Sequence, residues 1–287
     1  MTARSNLPFA AILLLLILFR TSPAVVPQPD AQIPAPAILS SGILALGYQD
    51  VAWISAAVLT AIPAQIRYND MPPADTGSLD RQNDLWLMDR WAAGLHSPKA
   101  ALASNLTIYV LVGLPMAVTA WDSYQGRQTW SAAISEAVVY AEAMAIASSL
   151  TLLVRSTQVH PRPLVYGRNV PADERLSGEA SGSFYSGHAN GAFLSAVFFA
   201  YTHSLRNPDS ENKGWIWAGS LGAASMVAGL RVAAGKHFLS DVLVGAATGS
   251  FFGWAFPRMH LRPGAGVPRA EILIDGDGVQ PVLTWTF

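Results

Sequence analysis

Long apolar stretches alternate with short polar gaps along most of this chain. Five segments stand out: Asn105 to Trp121, Ala132 to Val154, His188 to Ser204, Trp215 to Val232 and Phe238 to Phe256. Each runs about 17 to 23 residues, the length of a membrane span or a long core helix. They are rich in Ala, Gly and Ser, which lets helices approach closely. Glu136 and Glu142 lie inside the second segment and favour burial against protein over contact with lipid. Upstream, Ile43 to Ile66 is apolar but carries Asp50 and Pro63, so it is expected to be a helix packed on the domain or lying at an interface. Asp84 to Leu95 mixes Trp86, Leu87, Trp91 and Leu95 with Asp89 and Arg90, a pattern that suits an amphipathic interfacial helix.

The ends read differently. Leu7 to Phe19 is an apolar run of 13 residues behind Arg4, with Ser22-Pro23-Ala24 following. That fits a signal peptide over residues 1–24, with an uncleaved anchor as the alternative. Residues 25–40 hold Pro27, Pro29, Pro34 and Pro36 and are expected to be an extended linker. Residues 41–258 then form the helical domain, and 259–287 a tail. In the tail, Glu271 to Asp275, a Gly-Asp-Gly turn and Val282 to Phe287 suggest a short β-hairpin.

Composition sharpens this picture. Apolar residues make up 51% of the 287 residues and charged ones only 13%, against about 25% charged in an ordinary soluble domain. The net charge of -1 recommends no nucleic-acid partner. There is no cysteine, which excludes disulfides, thiolate metal sites and a cysteine nucleophile.

The scarce charge is concentrated in two gaps, Arg155 to His188 and Arg231 to Asp241. They hold Arg155, Arg162, Arg168, Arg175, His188, Arg231, Lys236, His237 and Asp241. If the helices run up and down, four helix ends converge there on one face. Arginines beside histidines at helix ends point to an anion site, since a guanidinium fork matches phosphate. His237 and Asp241 are four apart, on one face of an expected helix. A carboxylate so placed can hold the proton of one ring nitrogen and leave the other free to attack. Ser186-Gly187-His188 opens a helix, where backbone N–H groups favour a phosphate oxygen. Arg168 and Arg175 are expected at the rim, and Lys236 in solvent. His160 matches no role, and His96, His203 and His260 have no evident partner.

These residues also carry a resemblance. Arg155-x6-Arg162-Pro163, Tyr185-Ser186-Gly187-His188 and Arg231-x5-His237-x3-Asp241 are similar to the three signature motifs of the type 2 phosphatidic acid phosphatase (PAP2) family, related to vanadium haloperoxidases. The family pattern is Lys-x6-Arg-Pro, Pro-Ser-Gly-His and Ser-Arg-x5-His-x3-Asp. Arg155, Tyr185 and Leu230 depart from it.

The resemblance implies an all-α bundle of the PAP2/haloperoxidase type, and the length of the five apolar segments suggests about five membrane-spanning helices within it. It implies a phosphatase acting on a phosphate monoester or pyrophosphate, with a lipid as the expected bearer. His237 would form a phosphohistidine, Asp241 would orient it, and His188 would serve as acid and then base. Arg155, Arg162, Ser186, Gly187 and Arg231 would hold the phosphoryl oxygens, with no metal or other cofactor. The expected partners are a lipid phosphate and membrane lipids, and the expected place is an inner membrane with the site facing the periplasm. Arg127, Arg206, Lys213, Arg258 and Arg262 would then lie on the cytoplasmic side. Three alternatives stay open: a soluble periplasmic acid phosphatase, a haloperoxidase that would need vanadate, and a non-catalytic protein binding lipid phosphates.

Overall fold

The computed structural model describes residues 44–74, 85–157, 160–261, 269–275 and 278–284. The expected signal peptide (1–24) and linker (25–40) lie outside the described residues. The fold is helical: α1 spans Tyr48–Asn69, α2 Pro98–Tyr124, α3 Trp130–Thr157, α4 Ala172–Arg175, α5 Gly187–Arg206, α6 Lys213–Ala233 and α7 Leu239–Met259. Short 3₁₀ turns cover Arg90–Ala92, Pro163–Tyr166 and Gly178–Ser181. In the tail, β1 (Arg269–Asp275) pairs antiparallel with β2 (Gly278–Thr284), with Asp275 opposite Gly278.

Local chemistry sets several boundaries. Ser97 caps α2 by accepting the Ala100 N–H at 3.3 Å, and Pro98 supplies a pre-set φ at the first helical position. This starts α2 seven residues before the apolar segment itself. Ser186 caps α5 in the same way through the Ala189 N–H. Gly235 follows the end of α6 at φ +69°, and a Cβ there would lie 1.7 Å from the Leu95 carbonyl oxygen, so only glycine fits. That turn brings Arg231 within electrostatic reach of His237.

Helix α5 runs through the middle of the bundle, packed by α2, α3, α6 and α7. Its closest neighbour is α7, which presents Gly245, Gly249 and Gly253 to it. Added Cβ atoms would approach the carbonyl oxygens of Ser186, Asn190 and Leu194 to 2.6, 2.1 and 2.5 Å. The glycine seam is therefore what lets the two backbones touch. Tyr140, Tyr185, Leu194, Phe198 and Phe256 fill the core alongside.

Two expectations need correction. Among the described residues four helices, not five, are long and apolar enough to cross a membrane: α2, α3, α6 and α7. The remaining segment became α5, where His188, Asn190, Ser195, Thr202 and His203 lower the hydropathy and the surrounding helices bury most of the surface. The amphipathic helix expected over 84–95 is a turn and one 3₁₀ segment; Gly94 at φ +84° breaks the helical path. Its Trp86, Leu87 and Trp91 are exposed rather than packed.

Candidate active site

The ends of α3 and α6 and the starts of α5 and α7 meet at one end of the bundle. Backbone bonds tie them together. The Ser186 N–H donates to the Asp241 carbonyl (3.1 Å), the Leu164 N–H to the Gly235 carbonyl (3.0 Å), and the Arg162 N–H to the Ala180 carbonyl (2.8 Å). All eight residues singled out by the motifs sit here.

His237 lies just before α7, not within it, so the helical-face argument for His237 and Asp241 does not hold. Its ring is 1% exposed. Nδ1 donates to the Ser183 carbonyl at 2.8 Å, while the nearest Asp241 oxygen is 3.8 Å away. Asp241 instead accepts from the Ser183 hydroxyl at 2.5 Å and from the Phe238 N–H at 2.8 Å. The carboxylate thus fixes Ser183 and the helix start, and Ser183 fixes the ring. Because Nδ1 carries the donated proton, a neutral His237 leaves Nε2 as a bare lone pair. Burial pushes the ring down to about 3; Arg162 and Arg231 act in the same direction and Asp241 opposes them. His237 is therefore uncharged throughout the neutral range.

His188 is half-buried at the head of α5, and its Nε2 lies 2.8 Å from Asn105 Oδ1. The same oxygen accepts from Arg231 Nη1 at 3.3 Å. Arg231 can only donate, so this atom is an acceptor and His188 Nε2 must carry the proton. That leaves Nδ1 for proton exchange. Burial pushes this ring down to about 4, with Arg231, Arg162 and Arg155 acting in the same direction and Glu179 opposing them.

The three arginines are held differently. Arg155 donates through Nε to the Gly182 carbonyl (3.1 Å) and through Nη2 to the Tyr68 hydroxyl (2.7 Å). Arg162, 2% exposed, pairs with Glu179 at 2.7 Å. Arg231, 5% exposed, reaches Ser104 and Asn105. The Nε atoms of Arg162 and Arg231 are buried without a hydrogen-bond partner among the described residues. A cavity of about 230 Å³ opens on Arg162, Glu179 and Lys236. Lys236 is half-buried in its wall, not in solvent as expected, and burial and Arg162 lower its ammonium from the usual range.

Ser186 is fully buried, with its hydroxyl engaged as the helix cap. The N–H groups of Gly187 and His188 head the helix, where no carbonyl of the same helix can reach them. Arg168 is exposed and Arg175 half-buried in the loop.

Sequence reasoning missed Ser183, Asn105, Tyr68 and Asp89. Asp89 accepts from both the N–H (3.0 Å) and the hydroxyl (2.6 Å) of Ser240 and so caps α7 beside the site. Asn105 was in view only as the start of an apolar segment; an amide in an otherwise apolar helix was the available signal. His96, without an evident partner in sequence, lies 3.2 Å from Glu174.

A sequence model of the PAP2 superfamily matches residues 136–264. No curated protein matches the chain. Among solved structures, the chain is similar to the crystal structure of a transmembrane PAP2-type phosphatidylglycerolphosphate phosphatase from Bacillus subtilis. The identity is 18% and the TM-score 0.45, over 74% of this chain and 96% of that one. Residues 136–264, the stretch similar to the PAP2 superfamily, carry all three motifs and all eight residues singled out from them.

Proposed function

We propose that this protein is a metal-independent phosphatase that hydrolyses the phosphate monoester or pyrophosphate of a lipid through a phosphohistidine on His237. The carrying observation is the pair of buried, unpartnered guanidinium Nε atoms of Arg162 and Arg231 beside an uncharged, buried histidine. Buried charge of this kind needs an anion to complete it. His237 Nε2 attacks phosphorus and the phosphorus–oxygen ester bond breaks. The leaving oxygen takes the Nδ1 proton of His188, which enters this step as the imidazolium, the charge of the bound phosphate offsetting the arginines. Water then gives its proton to His188 and attacks phosphorus, the nitrogen–phosphorus bond breaks, and phosphate leaves with His237 restored. Arg155, Arg162, Arg231 and the N–H groups of Gly187 and His188 stabilise the charge gathering on the phosphoryl oxygens.

A lipid fits because an apolar groove of about 480 Å³ lies beside the site. Trp91, Leu95, Val232, Leu239, Val242 and Ala246 are among its lining residues. Val232 follows Arg231 and Leu239 lies two residues after His237 in the chain, so an acyl or isoprenyl tail in the groove would carry its headgroup to the arginines. The four apolar helices support a membrane setting. Arg127, Lys213 and Arg258 lie at the opposite end, which by the positive-inside bias turns the cradle outward.

Phosphate release from detergent-solubilised lipid phosphates and pyrophosphates, in excess chelator, tests this reading. Wild type turns over at least one of the panel, and His237→Ala falls by about a thousandfold or more. No turnover by wild type, or undiminished turnover by the variant, overturns it.

A further inference from the structure

The opposite end of α7 holds a second polar cluster, independent of the phosphatase reading. His260 follows the last turn of α7, Asp50 lies in the first turn of α1, and Glu142 lies midway along α3. The His260 and Glu142 side chains have no exposed surface, and that of Asp50 is 9% exposed. His260 Nδ1 donates to the Phe256 carbonyl at 2.8 Å. In a neutral ring, Nε2 is then a bare lone pair. It faces Asp50 Oδ1 at 3.0 Å and Glu142 Oε2 at 3.4 Å. Asp50 Oδ2 accepts from the Gly47 N–H. No N–H or hydroxyl among the described residues donates to either oxygen of Glu142, and the group it faces besides His260 is the Asp50 carboxylate, itself an acceptor when ionised. Three electron-pair donors therefore converge in a dry interior with no donor between them.

We propose that Asp50, Glu142 and His260 form a binding site for one divalent cation of the zinc class, with a structural role. Their ligand atoms all lie within 4.8 Å of one another. Zinc bonds of about 2.0–2.2 Å in a tetrahedron separate neighbouring ligands by roughly 3.3–3.5 Å; the 3.0 and 3.4 Å seen here need little adjustment. The Phe256 carbonyl behind His260 is the outer-shell acceptor that metal-bound histidines ordinarily have. A single proton, on Nε2 or shared between the Asp50 and Glu142 carboxylates, would leave one negative charge buried. A divalent cation neutralises both carboxylates at once. One nitrogen and two carboxylate oxygens suit zinc or manganese better than calcium. The ion would pin α1 to α3 and to the end of α7, where the Ala45 N–H also donates to the His260 carbonyl (2.8 Å). Asp241 and His260 are separated by nearly the whole of α7, roughly 28 Å at 1.5 Å per residue. The ion is thus remote from the phosphoryl chemistry.

The test uses the full-length chain in detergent, without a polyhistidine tag, stripped by chelator. Zinc is titrated in competition with a chromophoric chelator, and the thermal midpoint is read with and without the metal. The expected result is one zinc per chain, a raised midpoint, and an affinity loss in Glu142→Gln and His260→Gln exceeding the roughly 100-fold that outer-shell changes cause. If wild type takes up neither zinc nor manganese and its midpoint does not move, the proposal fails and the cluster is a proton-bridged ion pair. Undiminished binding in both variants also overturns it. Should the variants not fold, X-ray absorption of zinc-loaded wild type decides. Scattering from one imidazole with oxygen ligands supports the site, and any other ligand shell overturns it.

Discussion

Glu179 occupies a position on Arg162 that a phosphoryl oxygen would use. Its carboxylate accepts from Arg162 Nη1 at 2.7 Å, and that guanidinium holds the Glu179 carboxyl below the ordinary carboxylate range against the opposing effect of burial. The two partners differ in freedom. The Glu179 side chain is 62% exposed and that of Arg162 only 3%, so the carboxylate can swing into water while the guanidinium stays. On the proposed function, a phosphate entering the cradle would displace it. Removing the internal anion should therefore tighten substrate binding without touching the reacting atoms. Glu179→Gln is expected to lower KM, and the inhibition constant for inorganic phosphate, about fivefold, the value of roughly 1 kcal/mol for a partly exposed ion pair. Steady-state kinetics should show kcat within about twofold of wild type. The motif spacings brought His188, His237, Asp241 and the three arginines into view because a local pattern records neighbours along the chain. What holds them is distant in sequence: Tyr68 lies 87 residues before Arg155, Asn105 83 before His188, and Asp89 151 before Ser240. No periodicity carries such pairings. Asp241 shows the same limit at close range, since its partner is Ser183 and not the histidine four residues away.

Helices α5 and α7 are joined by the glycine seam, and the site inherits its geometry from that joint. His188 heads one helix and Asp241 sits in the first turn of the other. Gly249 is the tightest point, where an added methyl would lie 2.1 Å from a backbone oxygen of Asn190. Backbone cannot yield as a flexible side chain can, so Gly249→Ala is expected to destabilise by about 2–4 kcal/mol through overpacking. Gly222 meets nothing within 4 Å, and Gly222→Ala should leave stability unchanged or raise it by up to about 1 kcal/mol. Unfolding of both variants in detergent checks the contrast; equal midpoints would show that the seam is not tight. The seam was foreseen only as a richness in small residues, because composition does not say which face they line. The long helices themselves were legible, since an apolar run of that length has few alternatives. The stretch from Asp84 to Leu95 was not: its periodicity suited a helix, but Gly94 sits at a positive φ and Gly94 N–H is bound by the Pro163 carbonyl, a tertiary contact.

At the scale of the whole molecule the two ends of the bundle differ in chemistry. One gathers buried cations with an apolar groove beside them. At the other, Arg206 is neutralised by Glu136 at 2.8 Å, and the Asp50, Glu142 and His260 cluster lies toward that end. The groove makes the choice of substrate testable apart from the chemistry. Gly229 lines it and has nothing within 4 Å of where a Cβ would stand. Gly229→Phe should fill the groove without strain. It is expected to lower kcat/KM for a long-chain lipid phosphate by about tenfold or more, the scale on which apolar pockets discriminate size. Hydrolysis of a small aryl phosphate should change less than about twofold. Equal losses on both substrates would place the tail elsewhere.

The Tyr68, Asp89 and Asn105 contacts bear on what could be transplanted. All three residues lie upstream of residue 136, where the superfamily match begins. A fragment cut at the limits of that match would keep every motif yet release Arg155 from its phenol, Ser240 from its carboxylate and His188 from its amide. Grafting the reaction onto another scaffold would accordingly require these three outlying residues as well as the motifs, because they supply rigidity to groups that supply reactivity.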